Sequence, residues 1–324
     1  MTSLPATTPF IRPTTRRARV RFRAIFERLI ESTLFLLTLL SVLTTLSIIV
    51  ILTRETWGFF TMRGADGQLL VPLSDFLTDS LWSPLLSSPP RFGIAPLVGG
   101  TLLVTAIAAV FALPLGLLTA VYLSEYAPNR VRSVLKSLLE ILAGIPTVVY
   151  GFFALTFITP NLLQPLSTSF GTHSAMSAGI AVGIMILPIV SSLAEDALRA
   201  VPQSLRDGSL ALGSTKAETI LRVVIPAALS GIVASFLLAI TRAIGETMIV
   251  ALAAGGGVAQ LTIDPAAQVQ TMTAYMVKVF LGEAPASGIE YQSSYAVAFT
   301  LFVFTFAMTW IGVLVLRRYR EVYE

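Results

Sequence analysis

The sequence has no cysteine and only one histidine among 324 residues. The missing cysteine excludes disulfides, thiolate metal sites and thiol nucleophiles together. Charge is scarce too: Asp, Glu, Lys and Arg make up 12% of the chain, about half the share of a soluble domain. No G-x-x-x-x-G-K-[ST] phosphate cradle occurs, and "GSTK" at 213–216 lacks the preceding glycine and the required order, which excludes nucleotide binding by that route. What is abundant is apolar: 55% of the residues are hydrophobic and the mean hydropathy is +0.80. Such a chain belongs in a membrane.

Apolar runs near the length of a bilayer crossing occupy residues 34–52, 96–123, 138–158, 175–193, 226–254 and 295–316. The reading is an all-α polytopic membrane protein with six transmembrane helices. The first run is too long for a signal-peptide core and no small-x-small site follows it, so it is expected to stay as a span. By segments, a basic stretch (1–32) precedes the first span and a long outer loop (33–95); a five-span core (96–316) and a short tail (317–324) complete the chain.

Basic residues set the orientation. Arg12, Arg16, Arg17, Arg19, Arg21, Arg23 and Arg28 precede span one, and Arg130, Arg132 and Lys136 lie between spans two and three. Arg199, Arg206, Lys216 and Arg222 lie between spans four and five, and Arg317, Arg318 and Arg320 follow span six. The opposite face carries only Arg54, Arg63, Arg91 and Lys278. Both termini are therefore expected in the cytoplasm. This topology accounts for the net charge of +4 without nucleic acid, and the N-terminal arginines also suit anionic lipid. Trp57 to Phe60, just past span one, read as interface anchors, and residues near Trp82 as a place to meet an external partner. His173 stands in a short outer loop without a second ligand.

One basic residue is left over. Arg242 lies inside span five with Glu246 four residues on, a spacing that puts both on one helix face. Ser235 and Gly231 extend that face, whereas Phe236, Leu237, Ile240 and Ile244 fall opposite. Arg242 stands 16 residues past Pro226, about 24 Å along a helix. Charges at that depth cost about 2.5–3.5 kcal/mol each on insertion scales, so they face a protein interior or a water-filled path. A mutually neutralising pair is one reading. Desolvating two charges can cost more than their attraction returns, however, so retention of the pair favours a function.

Between spans four and five, residues 195–226 read as a helix, a break at Gly213 and a second amphipathic helix, with Pro202 permitting only a short first helix or a new start at Gln203. Thr215 and Glu218 form a capping box for the second helix. An amphipathic hairpin outside the bilayer needs a partner to cover its apolar face.

The stretch "DGSLALGSTKAETILRVVIP" resembles the coupling loop of ATP-binding-cassette importer permeases, patterned E-A-A, three residues, G, nine residues, I-x-L-P. Asp207, Gly208 and Ser209 hold the first three places, Gly213 the glycine, and Val223, Ile225 and Pro226 close it. Asp replaces Glu and Gly-Ser replaces Ala-Ala. "LAGIPTVVYGFFAL" (142–155) and "RAIGETMIV" (242–250) make the chain similar to phosphate-importer permeases of the PstC type. The resemblance implies a multi-pass subunit of the bacterial cytoplasmic membrane that moves inorganic phosphate inward and is not itself an enzyme. It implies no cofactor in this chain, with ATP and Mg on a partner ATPase dimer that takes the coupling loop. It also implies a second, PstA-type permease and an extracytoplasmic phosphate-binding protein. An importer of another oxyanion, of sulfate or molybdate type, and a phosphate sensor without flux are the alternatives.

For an oxyanion, the guanidinium fork of Arg242 matches the substrate's oxygens. Glu246 would either accept from the phosphate OH, a donor that sulfate lacks, or hold Arg242 in place. The glycines and prolines of the spans, Pro114, Gly116, Gly144, Pro146 and Gly151, can bend helices or pack them closely; for the segment 144–146 close packing is preferred to a gating role.

Overall fold

The computed structural model describes residues 14–64, 67–257, 259–283 and 288–319. Of the basic residues used for topology, Arg12 and Arg320 lie outside these. The chain divides into two units, Met1–Arg54 and Glu55–Glu324.

The first unit contributes most of helix α1 (Thr14–Thr61). Between Phe26 and Arg54 its large apolar side chains, among them Leu34, Phe35 and Leu40, are exposed. Surface of this kind over more than 20 residues suits the hydrocarbon of a bilayer rather than water.

In the second unit the chain runs through α2 (Leu73–Thr78), strands β1 (Leu81–Ser83) and β2 (Arg91–Phe92), and α3 (Ala95–Val121), which ends in a wide π-type turn. Next come α4 (Asn129–Ala143), α5 (Thr147–Phe153) with a π-type continuation to Leu163, α6 (Ala175–Ala200) and α7 (Gln203–Ala211). After α8 (Lys216–Thr219) and α9 (Ile225–Ala227) stand α10 (Leu229–Ile244), α11 (Met248–Ala253), β3 (Ala259–Gln260), α12 (Met272–Lys278) and α13 (Ile289–Tyr319). The fold is overwhelmingly helical. A small antiparallel sheet, ordered β2-β1-β3, is added to the helical expectation, with Trp82 opposite both Phe92 and Ala259.

Four described helices are long and apolar enough to cross a membrane: Phe26–Thr61, Ala95–Tyr126, Ala175–Ala200 and Ile289–Arg317. The other two expected spans are bent pairs, so the count reaches six only if each pair is one crossing. The pair at 129–163 bends by 90°, inside the run read as span three. Pro146 has no N–H to continue a helix and disfavours helical geometry at Ile145. A Cβ at Gly144 would meet nothing nearer than carbonyls of its own helix, at 3.4 and 3.6 Å. The Gly-Ile-Pro segment is thus a corner, which corrects its reading as a close helix contact. The second pair, Lys216–Ala227 with Leu229–Ile244, bends by 69°.

The core lies where α3, α6, α10 and α11 meet, lined by Val104, Ala108, Val182, Ile186, Ala239 and Ile249. Small residues let the backbones approach: a Cβ at Gly179 would stand 2.5 Å from Ile107, and one at Gly116 2.6 Å from Val190. Glu195, fully buried on α6, is held from α4 by Arg132 Nε at 2.6 Å and Lys136 Nζ at 3.2 Å. A second cluster surrounds the sheet, where Phe59, Phe76, Phe92 and Tyr275 pack edge-to-face around Trp82 or one another. Trp82 and Phe59 are both fully buried. This corrects Phe59 as an interface anchor; Phe59 and Trp82 both hold this subdomain together. Arg91 closes the same hairpin on Asp79 at 2.7 and 2.8 Å, and its hydrogen bonds keep the Asp79 carboxyl below the usual range.

Candidate functional site

Arg242 and Glu246 meet at a break. Helix α10 ends at Ile244, Gly245 caps it, and α11 starts at Met248, so the continuous helix expected over 226–254 is interrupted beside the two charges. The ion pair forms nonetheless: Arg242 Nη1 donates to Glu246 Oε2 at 2.8 Å. Their environments differ sharply, since the carboxylate side chain is 2% exposed and the arginine side chain 43%. Glu246 Oε1 accepts from the backbone N–H of Met248 at 3.1 Å and of Ile249 at 3.3 Å. The carboxylate thus joins the end of one helix to the start of the next, a favourable place for negative charge.

The guanidinium uses one of its five N–H donors on Glu246. Among the described residues no other partner takes the rest. A fixed cation presenting unused donors beside a helix break is chemically suited to a planar or tetrahedral oxyanion.

The structure separates Ser235 and Gly231 from this pair. Ser235 is buried and donates to its own helix at Ile232 O, 2.7 Å away. A Cβ on Gly231 would lie 2.4 Å from Ala197 of α6. The polar stripe expected from spacing is divided: its lower part seals a helix contact, and its upper part opens outward. Sequence reasoning missed Thr273, whose hydroxyl donates to Glu246 O at 2.6 Å from α12. It also missed Thr101, which accepts from Met272 N–H at 3.1 Å. These two fix α12 against the break and against α3. Only contacts across more than a hundred residues reveal that placement of Thr101.

The second functional element is the hairpin of α7 and α8. Its turn is Gly213, at φ +86°, a conformation glycine adopts without penalty. Ser209 Oγ lies 2.9 Å from Thr219 Oγ1 across the hairpin, and Asp207 accepts from Gln203 Nε2 at 3.0 Å. Gly208 faces open space, and Pro226 lies in the short α9. Arg206 ties the hairpin to the turn ending α3 by donating to Glu125 at 3.0 Å, and to the end of α6 by donating to Leu198 O at 2.7 Å. Lys216 donates to Glu125 O and lies over the Tyr126 ring at 4.6 Å.

The capping box is complete, with Glu218 N–H donating to Thr215 Oγ1 and Thr215 N–H to Glu218 Oε2. The Thr215 N–H lowers the Glu218 pKa, so this cap is present above the ordinary carboxylate range and is lost as pH falls through the lowered value. Thr215→Ala is expected to cost about 1 kcal/mol of local helix stability. In the assembled complex, amide exchange at 216–219 should rise about fivefold; unchanged exchange would remove the cap from the account.

A helical chain with several helices able to cross a membrane, an ion pair at a helix break and a helical hairpin has the parts of a transport permease. The chain belongs to the family of binding-protein-dependent transport system inner membrane components, whose model matches residues 112–321. It is 34% identical over 250 residues to the probable ABC transporter permease protein YqgH of Bacillus subtilis, covering 76% of this chain and 80% of that one. With the phosphate transport system permease protein PstC of Mesorhizobium japonicum it shares 33% identity over 262 residues, 75% of this chain and 78% of that one. A bacterial alginate ABC transporter, solved with its alginate pentasaccharide-bound periplasmic protein, has the same fold at a TM-score of 0.61. That match has 14% identity and covers 95% of this chain and 98% of that one.

Proposed function

We propose that this permease subunit forms half of a pathway carrying inorganic phosphate into the cytoplasm, with Arg242 as the residue that touches the anion. The observation carrying this reading is the Arg242 guanidinium, anchored through one N–H on a buried carboxylate and exposed through the others. The phosphate permease among its relatives supports the substrate class. Glu246 is a positioning residue: one oxygen holds Arg242 and the other holds two backbone N–H groups. The basic residues of the inter-span segments support a topology with both termini in the cytoplasm.

The hairpin of α7 and α8 is the coupling element. Leu212 is 89% exposed at its tip, with Leu210 and Leu221 also exposed, an apolar surface for an ATPase subunit to cover. ATP and Mg belong to that ATPase dimer, and this chain hydrolyses nothing. A PstA-type permease supplies the other half of the pathway, and an extracytoplasmic phosphate-binding protein docks on the outer subdomain.

The test is ATP-dependent uptake of radiolabelled phosphate into proteoliposomes holding the full complex and its binding protein. Unlabelled phosphate should compete, and sulfate in tenfold excess should leave most of the uptake intact. Equal competition by sulfate would assign the pathway to oxyanions without a proton to donate.

A further inference from the structure

A small cavity of about 140 Å³ lies at the outer end of the molecule, between the turn after β1, the glycines at 256–257 and α12. Its lining includes Ser83, Leu86, Gly256, Gln270 and Lys278. The volume exceeds what one water molecule needs several times over. Three of these side chains have hydrogen-bonding capacity that the described residues leave unused.

Lys278 has no acidic partner among the described residues. Its side chain lies across Gly256 so closely that a Cβ there would stand 1.7 Å from Nζ and 2.6 Å from Cε. The missing side chain at 256 is what makes room for the ammonium group. Gln270 is 4% exposed, and its Oε1 is buried without a donor. Ser83 is 1% exposed; its Oγ accepts from Ser87 at 2.7 Å, leaving its own proton without an acceptor among the described residues. A buried unpaired acceptor is costly. Together the residues lining the cavity carry a cation, a hydroxyl proton and a buried acceptor that have no partner among the described residues.

These groups ask for a ligand that is negatively charged and still carries a proton. We propose that the cavity is an outer subsite for a partly protonated oxyanion, phosphate in this system. Its anionic oxygens accept from Lys278 and Ser83, and its P–OH donates to Gln270 Oε1. The inference rests on the phosphate reading above and extends it by adding a stop ahead of Arg242. The geometry links the two places through α12. Thr273 near its start touches the Glu246 carbonyl, and Lys278 is its last residue, about 7.5 Å further along the axis. Sulfate would leave Gln270 unpaired, so it should bind at least about tenfold more weakly.

The absence of native cysteine permits a direct test. Leu86 lines the cavity and is 69% exposed. Leu86→Cys is placed in the complete permease–ATPase complex, without binding protein, and labelled on this chain from outside by a thiol reagent. Inorganic phosphate should slow labelling about fivefold or more, and sulfate at equal ionic strength less than about twofold. Adding Lys278→Gln should abolish protection, Lys278→Arg should keep most of it, and Gly256→Ala, whose Cβ displaces the ammonium, should weaken it. Labelling without phosphate, measured for each variant, controls for changes in accessibility. Protection that is absent, equal for sulfate, or unchanged by Lys278→Gln would overturn the subsite. Uptake of phosphate by the same preparation with binding protein separates the two claims. Normal uptake without protection removes the subsite and leaves the phosphate reading standing, whereas no phosphate uptake removes the reading itself.

Discussion

Glu246→Ala is expected to destabilise the membrane bundle by about 2–3 kcal/mol and to abolish uptake. The full cost of breaking a buried ion pair is about 3–5 kcal/mol, and the lower range applies because Arg242 is partly open to its surroundings. Three interactions disappear at once: the acceptor for Arg242 and the acceptors for the N–H groups of Met248 and Ile249. Helix α11 has only six residues and cannot hold itself without support at its start. Glu246→Gln retains an acceptor for the backbone while removing the charge that holds the guanidinium. It should therefore keep the bundle near wild-type stability and lower uptake about tenfold, the worth of one charge-assisted bond. Thermal unfolding of the purified complex, read beside uptake, checks the distinction. Equal melting and equal transport for the alanine variant would show that the break at 245–247 needs no carboxylate.

The same geometry explains why Glu246 is better placed to position than to select. Its side chain is almost fully buried and its contacts point to Arg242 and to α11, whereas the arginine faces outward. Sulfate discrimination should therefore survive Glu246→Gln. In this account it arises where a buried acceptor waits without a donor, at Gln270.

Much of this molecule was legible in its sequence wherever the determining physics is local. The helix start at Gln203, the turn at Gly213 and the Thr215–Glu218 cap follow from proline, glycine and short hydrogen bonds within a few residues. Long apolar runs located the four unbroken membrane helices. The ion pair of Arg242 and Glu246 followed from a spacing of four, even though the helix carrying it stops between them.

What was not legible depends on distant contacts. An apolar run has the same composition straight or broken, so the interruption at 245–247 does not show in hydropathy, and the corner at 144–146 is marked only by its own Pro146. Strands of two or three residues are too short for an alternating pattern, and the sheet of Trp82, Phe92 and Ala259 joins segments far apart in the chain. Phe59 resembles an interface anchor until it is seen packed inside with the aromatic residues of this sheet. Ser235 and Gly231 share a helix face with Arg242, but the neighbouring helix α6 closes over Gly231 before Arg242 is reached.

The central claim is that Arg242 contacts the transported anion. The measurement that tests it most directly is phosphate uptake by the full complex carrying Arg242→Gln, at equal membrane abundance and with ATPase assembly verified. Uptake should fall at least about a hundredfold, as expected when a charge-assisted bidentate contact to the substrate is lost, while ATP hydrolysis and assembly of the complex persist. Uptake near the wild-type rate would contradict it and reduce Arg242 and Glu246 to a structural clasp across the broken span.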